Sequence, residues 1–222
     1  MLSETMQDYL KSIYRLQQAN GAVSTSALAK ALGVAPGSAT GMVKKLARLR
    51  LVRHRPYRGV LLSRSGERAA LEVIRHHRLL ELYLARVLGY GWDTVHAEAE
   101  RLEHTISEEF EERIFLALGR PDRDPHGEPI PAKDGTIKNG AHLGLVDLDT
   151  GAQGIIRQVG NTDAEVLRYL GACGLVPGAT VTVVQKAPFD GPIVVKRGRT
   201  SHVLGRDLAV SIQVEPTSNR KG

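Results

Sequence analysis

Two hydrophobic rhythms divide this chain, and no single layer of structure satisfies both. Up to Gly119 the apolar residues recur every three to four positions, the spacing of helices; from about Leu143 they come in short runs typical of strands. Between them lies GRPDRDPHGEPIPAKDGTIKNG (119–140), rich in Pro, Gly and Asp, which reads as a loop or linker. The expected fold is mainly α with a small β domain at the end. At 222 residues the chain is long enough for two or three cores.

The helical part begins with grammar that can be followed residue by residue. Ser3 is placed to cap a first helix running to about Ala19, with Met6, Tyr9, Leu10, Ile13 and Leu16 on its apolar stripe. A second helix is expected at about 25–32, closed by Gly33, and a third from Pro36 to about Leu49. Two helices joined by a short Gly-containing turn form a helix-turn-helix, and the β-prone runs LVRH and GVLLS around RPYRG complete a wing. A long helix is expected from about Ser65 to Leu88, then one capped by Asp93 or Thr94, then ISEEFEERIFLALG. In the β part, LGLVDL, GIIRQV, ATVTVVQ, PIVVKRG and LAVSIQV read as five strands of a small barrel, interrupted by the helical AEVLRYLGA. The expected domains are 1–73, 74–140 and 141–222.

Charge is distributed as unevenly as hydrophobicity. Residues 1–74 hold 12 Lys/Arg against 4 Asp/Glu, a local +8 in a chain whose net charge is +6, which leaves −2 for the rest. A basic helix-turn-helix is the footprint expected where phosphates are neutralised. The start of the second helix of that motif meets the major groove, so Ala35, Pro36, Gly37, Ser38, Thr40 and Gly41 are the expected base-proximal surface, and Lys44, Lys45, Arg55, Tyr57 and Arg58 the phosphate contacts. No apolar run approaches the roughly 20 residues of a membrane span, and the N-terminus lacks the order of a secretion signal, so the expected location is the cytoplasm. Cys173 is the single cysteine, which leaves nitrogen and oxygen as the ligand atoms for any metal.

Such ligands are crowded into HAEAERLEH (96–104). At about 100° per residue, His96, Glu100, Glu103 and His104 fall within an arc of roughly 100° on one helix. His77 and Glu81 repeat the four-residue step on the long helix, and Asp8 lies on the first. Carboxylates mixed with imidazoles suit manganese(II) and iron(II). The acidic run Glu108, Glu109, Glu111 and Glu112 reads as a solvated helix face.

MQDYLKSIYRL, HHRLLELYL, VHAEAERLEHTISEE and HGEPIP, in this order, closely resemble the signature segments of the diphtheria toxin repressor family of metal-dependent transcription regulators, over nearly the whole chain. The resemblance implies a helical dimerisation domain, a terminal Src-homology-3-like (FeoA-like) β-barrel, and a homodimer that binds palindromic operators in double-stranded DNA when loaded with divalent metal, repressing genes of manganese and iron homeostasis. It also implies a primary site of Asp8, Glu100, Glu103 and His104, and an ancillary site of His77, Glu81 and His96, to which Asp163 of the β domain adds a ligand; Val166 stands at the other barrel position. Iron-type members carry Met and Cys where this chain has Asp8 and Glu100, so the implied effector is Mn(II), with Fe(II) second. Manganese-type members carry glutamate at the position of Lys11, which cannot serve as that ligand. Two other readings stand beside this one. A metal-dependent hydrolase would use the same residue types to activate water, and a DNA-binding protein indifferent to metal would keep its glutamates for structure alone.

Overall fold

The computed structural model describes residues 2–55, 58–138, 140–160 and 163–217. The chain divides into two compact units, the first made of residues 1–77, 101–111 and 131–137, the second of 78–100, 112–130 and 138–222.

In the first unit, α1 (Glu4–Asn20) starts where the Ser3 hydroxyl accepts the Met6 amide at 3.4 Å, and it buries Met6, Tyr9, Leu10 and Ile13. Ser24 caps α2 (Thr25–Leu32), which Gly33 ends at φ 64°, and Pro36 opens α3 (Pro36–Arg48). Ala39, Val43 and Leu46 turn inward from α3 onto Leu10, Leu28 and Val60, so one apolar cluster fixes the helix-turn-helix against the wing. That wing pairs β1 (Val52–Arg55) with β2 (Gly59–Leu62) in antiparallel register, Arg55 opposite Gly59. Gly59 has φ 91°, and a Cβ there would lie 2.8 Å from the Val23 carbonyl oxygen, so both conformation and space exclude a side chain. Helix α4 (Arg64–Leu88) follows.

The next two helices are shorter than their periodicity suggests: α5 spans Val95–Leu102 and α6 spans Glu108–Ala117. In the second unit a six-stranded antiparallel sheet has the order β3 (Leu143–Gly144), β8 (Ile212–Pro216), β4 (Gln153–Val159), β5 (Thr180–Lys186), β6 (Ile193–Arg197), β7 (Thr200–Leu204). It is open, with β3 and β7 at its edges. Ile156, Val159, Val181, Val183, Val195 and Val214 form its core together with Leu167 and Leu170 of α7 (Ala164–Ala172).

Three strand expectations are corrected. LGLVDL pairs only through Leu143 and Gly144 before a 3₁₀ turn at Leu145–Asp147. LAVSIQV begins as the short helix α8 (Arg206–Val210), because the Ala209 amide finds the Gly205 carbonyl and Ser211 that of Leu208. The edge strand β7 was not expected at all; its pattern is mostly exposed, without the alternation a sequence would announce. No helix among the described residues is long and apolar enough to cross a membrane.

Candidate metal centres and nucleic-acid surface

The nine residues 96–104 do not form one helical face. The helix stops at Leu102, whose carbonyl accepts both the Thr105 amide at 3.0 Å and the Thr105 hydroxyl at 2.9 Å. Ser107 then caps α6 by accepting the Phe110 amide. Glu103 and His104 therefore sit in a turn that faces α1 within the first unit. His104 Nε2 lies 2.9 Å from Asp8 Oδ1, and its Nδ1 lies 2.6 Å from Gln7 Oε1. With Gln7 presenting its oxygen, a neutral ring can donate to only one of these two oxygens, and a cation on the other nitrogen completes the arrangement. Ligand atoms of Asp8, Glu103 and His104 all lie within 4.8 Å of one another. These hard oxygen and imidazole donors, at that separation, fit a divalent manganese or iron ion.

Glu103 is the buried member, 1% exposed. Its Oε1 lies 2.5 Å from Lys11 Nζ and 3.4 Å from His104 Nε2, while Oε2 lies 2.6 Å from His77 Nδ1. Behind it, the Glu103 carbonyl meets His76 Nδ1 at 3.1 Å; His76 Nε2 meets Glu111 Oε2 at 3.1 Å, and Arg75 Nε lies 2.5 Å from Glu111 Oε1. Glu111 is thus a buried brace rather than part of a solvated face. Burial is the largest influence on His76 and lowers its pKa, but the hydrogen bonds to Glu111 and to the Glu103 carbonyl, together with the charges of Glu111 and Glu72, outweigh it and the net shift is upward. For Glu111, burial is outweighed by the His76 and Arg75 hydrogen bonds, and the pKa falls.

A second group lies in the second unit. Glu81 Oε1 is 2.9 Å from His96 Nδ1, and Glu100 Oε1 is 3.6 Å from His96 Nε2, one helical turn along α5. Glu81 Oε2 is 3.7 Å from His126 Nδ1, and ligand atoms of Glu81, Asp124 and His126, all buried, lie within 4.8 Å of one another. His126 Nε2 donates to the Trp92 carbonyl at 2.7 Å, which leaves Nδ1 for the carboxylates. Asp124 Oδ1 accepts the amides of His126 and Glu128, each at 2.8 Å, so the loop folds around its own ligand. Gly127 allows this: it has φ 84°, and a Cβ would stand 1.9 Å from the Arg157 carbonyl oxygen. Burial first, then the charge of Glu81, raises the Asp124 carboxyl to about 7. Burial alone would lower His126, but its hydrogen bond to Glu81 and the charges of Glu81 and Asp124 raise it to about 9.

Helical spacing does not announce Asp124 and His126; the signal in the sequence is the Asp and His of DPH (124–126), which runs into HGEPIP. Asp163 is exposed and caps α7, its Oδ1 accepting the amides of Glu165 at 2.8 Å and Val166 at 3.4 Å. Among the described residues it belongs to no cluster of three ligand-type side chains.

On the nucleic-acid side, Ala35, Pro36, Gly37, Ser38 and Gly41 are exposed along α3, as are Lys44 and Lys45. Thr40, half-buried, donates its hydroxyl to the Pro36 carbonyl at 2.9 Å. Arg53, Arg55 and Arg58 line a hollow beside Gly59 and Leu61 on the wing. Tyr57 lies outside the described residues.

Three family models match the chain: "Iron dependent repressor, N-terminal DNA binding domain" over residues 1–60, "Iron dependent repressor, metal binding and dimerisation domain" over 63–132, and "FeoA domain" over 143–216. The iron-dependent repressor IdeR of Mycobacterium leprae is 30% identical over 226 residues, covering 96% of this chain and 98% of that protein. A solved structure described as a manganese-dependent transcriptional repressor in complex with manganese is 38% identical with a TM-score of 0.89, covering 96% of this chain and 100% of that one. ScaR with bound Cd2+ is 32% identical with a TM-score of 0.83, covering 96% and 99%.

Proposed function

The chain belongs to the metal-dependent, DNA-binding transcriptional repressors of the iron-dependent and diphtheria toxin repressor family, and on that premise we propose that it is a manganese(II)-activated repressor of metal-homeostasis genes. The relatives are repressors rather than enzymes, which sets the hydrolase aside. The observation that carries the proposal is the meeting of Asp8, on the first helix of the DNA-binding domain, with Glu103 and His104 of the α5–α6 turn. These three would hold the regulatory cation, whose charge ties the two segments together. All three are nitrogen or oxygen donors, which supports manganese; iron(II) is the second effector, in keeping with relatives named for iron. Glu81, Asp124 and His126 form the second, ancillary group, with His96 beside Glu81.

Without a cation α1 is held to the turn by the Lys11–Glu103 and Gln7–His104 contacts, and metal adds a further tie through Asp8, Glu103 and His104. Since a ligand shifts an equilibrium only by its differential affinity for two states, tighter metal binding to the DNA-competent arrangement entails tighter DNA binding in return. The protein acts in the cytoplasm as a homodimer on a palindromic operator, reading bases with the small side chains of Ala35 to Thr40 and phosphates with Lys44, Lys45, Arg55, Tyr57 and Arg58. The test is operator binding by fluorescence anisotropy against Mn(II). In the double variant Asp8→Asn, His104→Ala the manganese response should vanish; a response equal to the parent's overturns the assignment.

A further inference from the structure

We infer that Lys11 is a built-in cation that holds Glu103 in the metal-free chain and thereby sets how much divalent metal is needed to fill the primary group. This rests on the reading of Asp8, Glu103 and His104 as that group. The site has an unusual feature for a place that must admit a dication: a positive charge is already inside it. Lys11 is 3% exposed and Glu103 1%, so their 2.5 Å contact is sealed from water. A buried carboxylate without a partner is strongly unfavourable, and the paired arrangement relieves that cost only when geometry is close and both oxygens are satisfied. Both are: Oε1 by Lys11, Oε2 by His77 Nδ1 at 2.6 Å. Glu103 is therefore aimed before any metal arrives.

Placement makes Lys11 a competitor and not merely a support. It stands three residues after Asp8 on α1, the spacing that puts two side chains on one helix face. The helix that brings the Asp8 ligand to the site thus brings an ammonium with it. The oxygen that Lys11 holds is also the Glu103 oxygen nearest His104 Nε2, at 3.4 Å. A cation shared by Asp8, Glu103 and His104 must therefore take Oε1 from Lys11, or share it at close range with a like charge in a region where water screens little. A surface lysine would move aside at slight cost. Lys11 is enclosed at 3% exposure, so giving up the Glu103 oxygen carries a desolvation cost that a surface lysine would not meet.

A lysine that only positions Glu103 and one that competes for it make opposite predictions. If Lys11 is only a positioning residue, its removal loosens Glu103 and weakens metal binding. If it competes, removal abolishes a repulsion and frees an oxygen, and metal binding tightens even as the metal-free protein loses stability. Lys11→Met keeps length and helix propensity while deleting the charge; Lys11→Gln retains a hydrogen-bond donor without charge; Lys11→Arg retains charge.

The experiment is Mn(II) titration of the full chain without DNA, followed by calorimetry and by the electron paramagnetic resonance signal of free Mn(II), with thermal unfolding alongside. Lys11→Met should bind the primary-site ion at least ten-fold more tightly than the parent, show a lower Tm without metal, and show a larger Tm rise on adding it. Lys11→Arg should behave as the parent, and Glu103→Gln in the Lys11→Met background should cancel the gain. If Lys11→Met does not fold, Lys11→Gln carries the same expectation. Either variant, folded and binding Mn(II) no more tightly than the parent, overturns the inference. With the second group disabled by Glu81→Gln, Mn(II) binding that survives Asp8→Asn with His104→Ala unchanged overturns instead the site reading beneath it, so the two failures are distinct.

Discussion

The two candidate metal groups solve one electrostatic problem by different means. Each buries carboxylate next to imidazole, and buried negative charge requires compensation. In the first unit a lysine supplies it: Lys11 and His77 between them occupy both oxygens of Glu103. In the second unit Glu81 and Asp124 are buried around His126, and the guanidinium of Arg78 lies 3.8 Å from Asp124 while also holding Glu128. Here protons fill the role. The Asp124 carboxyl is raised to about 7 and His126 to about 9, so the group carries bound protons at neutral pH. Geometry alone makes the groups look alike; the identity of the cation already present separates them. A metal entering the first displaces an ammonium contact, and one entering the second expels protons.

The largest expected effect follows from that difference. Ligands must be deprotonated to bind metal. With the first group disabled by Asp8→Asn and His104→Ala, Mn(II) affinity at the second should climb with pH, because His126 must lose its proton below about 9 and Asp124 below about 7. The slope approaches about ten-fold per pH unit for each proton expelled: about one proton between pH 7 and 9, and towards two below 7. With the second group disabled by Glu81→Gln, the slope should be shallower. Calorimetry in two buffers of different ionisation enthalpy counts the protons directly. Equal proton release from the two groups would break the comparison.

A smaller effect should appear in stability without metal. The folded pKa of Asp124, about 7, stands above the ordinary carboxylate value of 3.8. The folded state therefore holds this proton more tightly than the unfolded chain, and the associated stability is present in full below about 3.8 and is lost progressively as pH rises to about 7. At pH 8 the ionised, buried carboxylate is a liability. Asp124→Asn keeps an oxygen for the amides of His126 and Glu128 and removes the charge. It should raise stability more at pH 8 than at pH 5, by about 2–3 kcal/mol, or several degrees in Tm. Unfolding scans at both values check this; a stabilisation independent of pH would contradict the proton-filled picture.

The same contrast explains what was legible in the sequence. The DNA-binding helices could be read because their ends are written locally, in Ser3, Ser24, Gly33 and Pro36, and their apolar stripes face one core. Asp8, Glu103 and His104 were found as residue types. The resemblance also groups them as one site, but the turn that presents Glu103 and His104 is not legible, since HAEAERLEH keeps helical periodicity past the point where Thr105 claims the Leu102 carbonyl and turns the chain. Asp124 and His126 were missed because a loop held by its own carboxylate has no period to detect. Glu111 was misjudged for a related reason. It sits in a run of glutamates, and only Arg75 and His76, some 35 residues earlier, draw it inside.

The smallest effect is the one that isolates burial from distance. Arg157 Nε and Glu215 Oε2 are 2.6 Å apart, almost as close as Lys11 and Glu103 at 2.5 Å, but the side chains are 38% and 50% exposed against 4% and 0%. Water already solvates both members of the surface pair, so little is gained by their contact and little is lost with it. Glu215→Gln should change stability by less than about 0.5 kcal/mol, and the change should shrink further in 0.5 M salt, where the screening length falls to roughly 4 Å. Lys11→Met, at an equal separation, should lower the metal-free Tm visibly and keep most of that loss in salt, because ions do not reach the pair. Parallel unfolding scans of the two variants at low and high salt measure this. If both losses are equal and vanish together, contact distance rather than enclosure governs these pairs, and the distinction between a lysine-filled and a proton-filled site loses its physical basis.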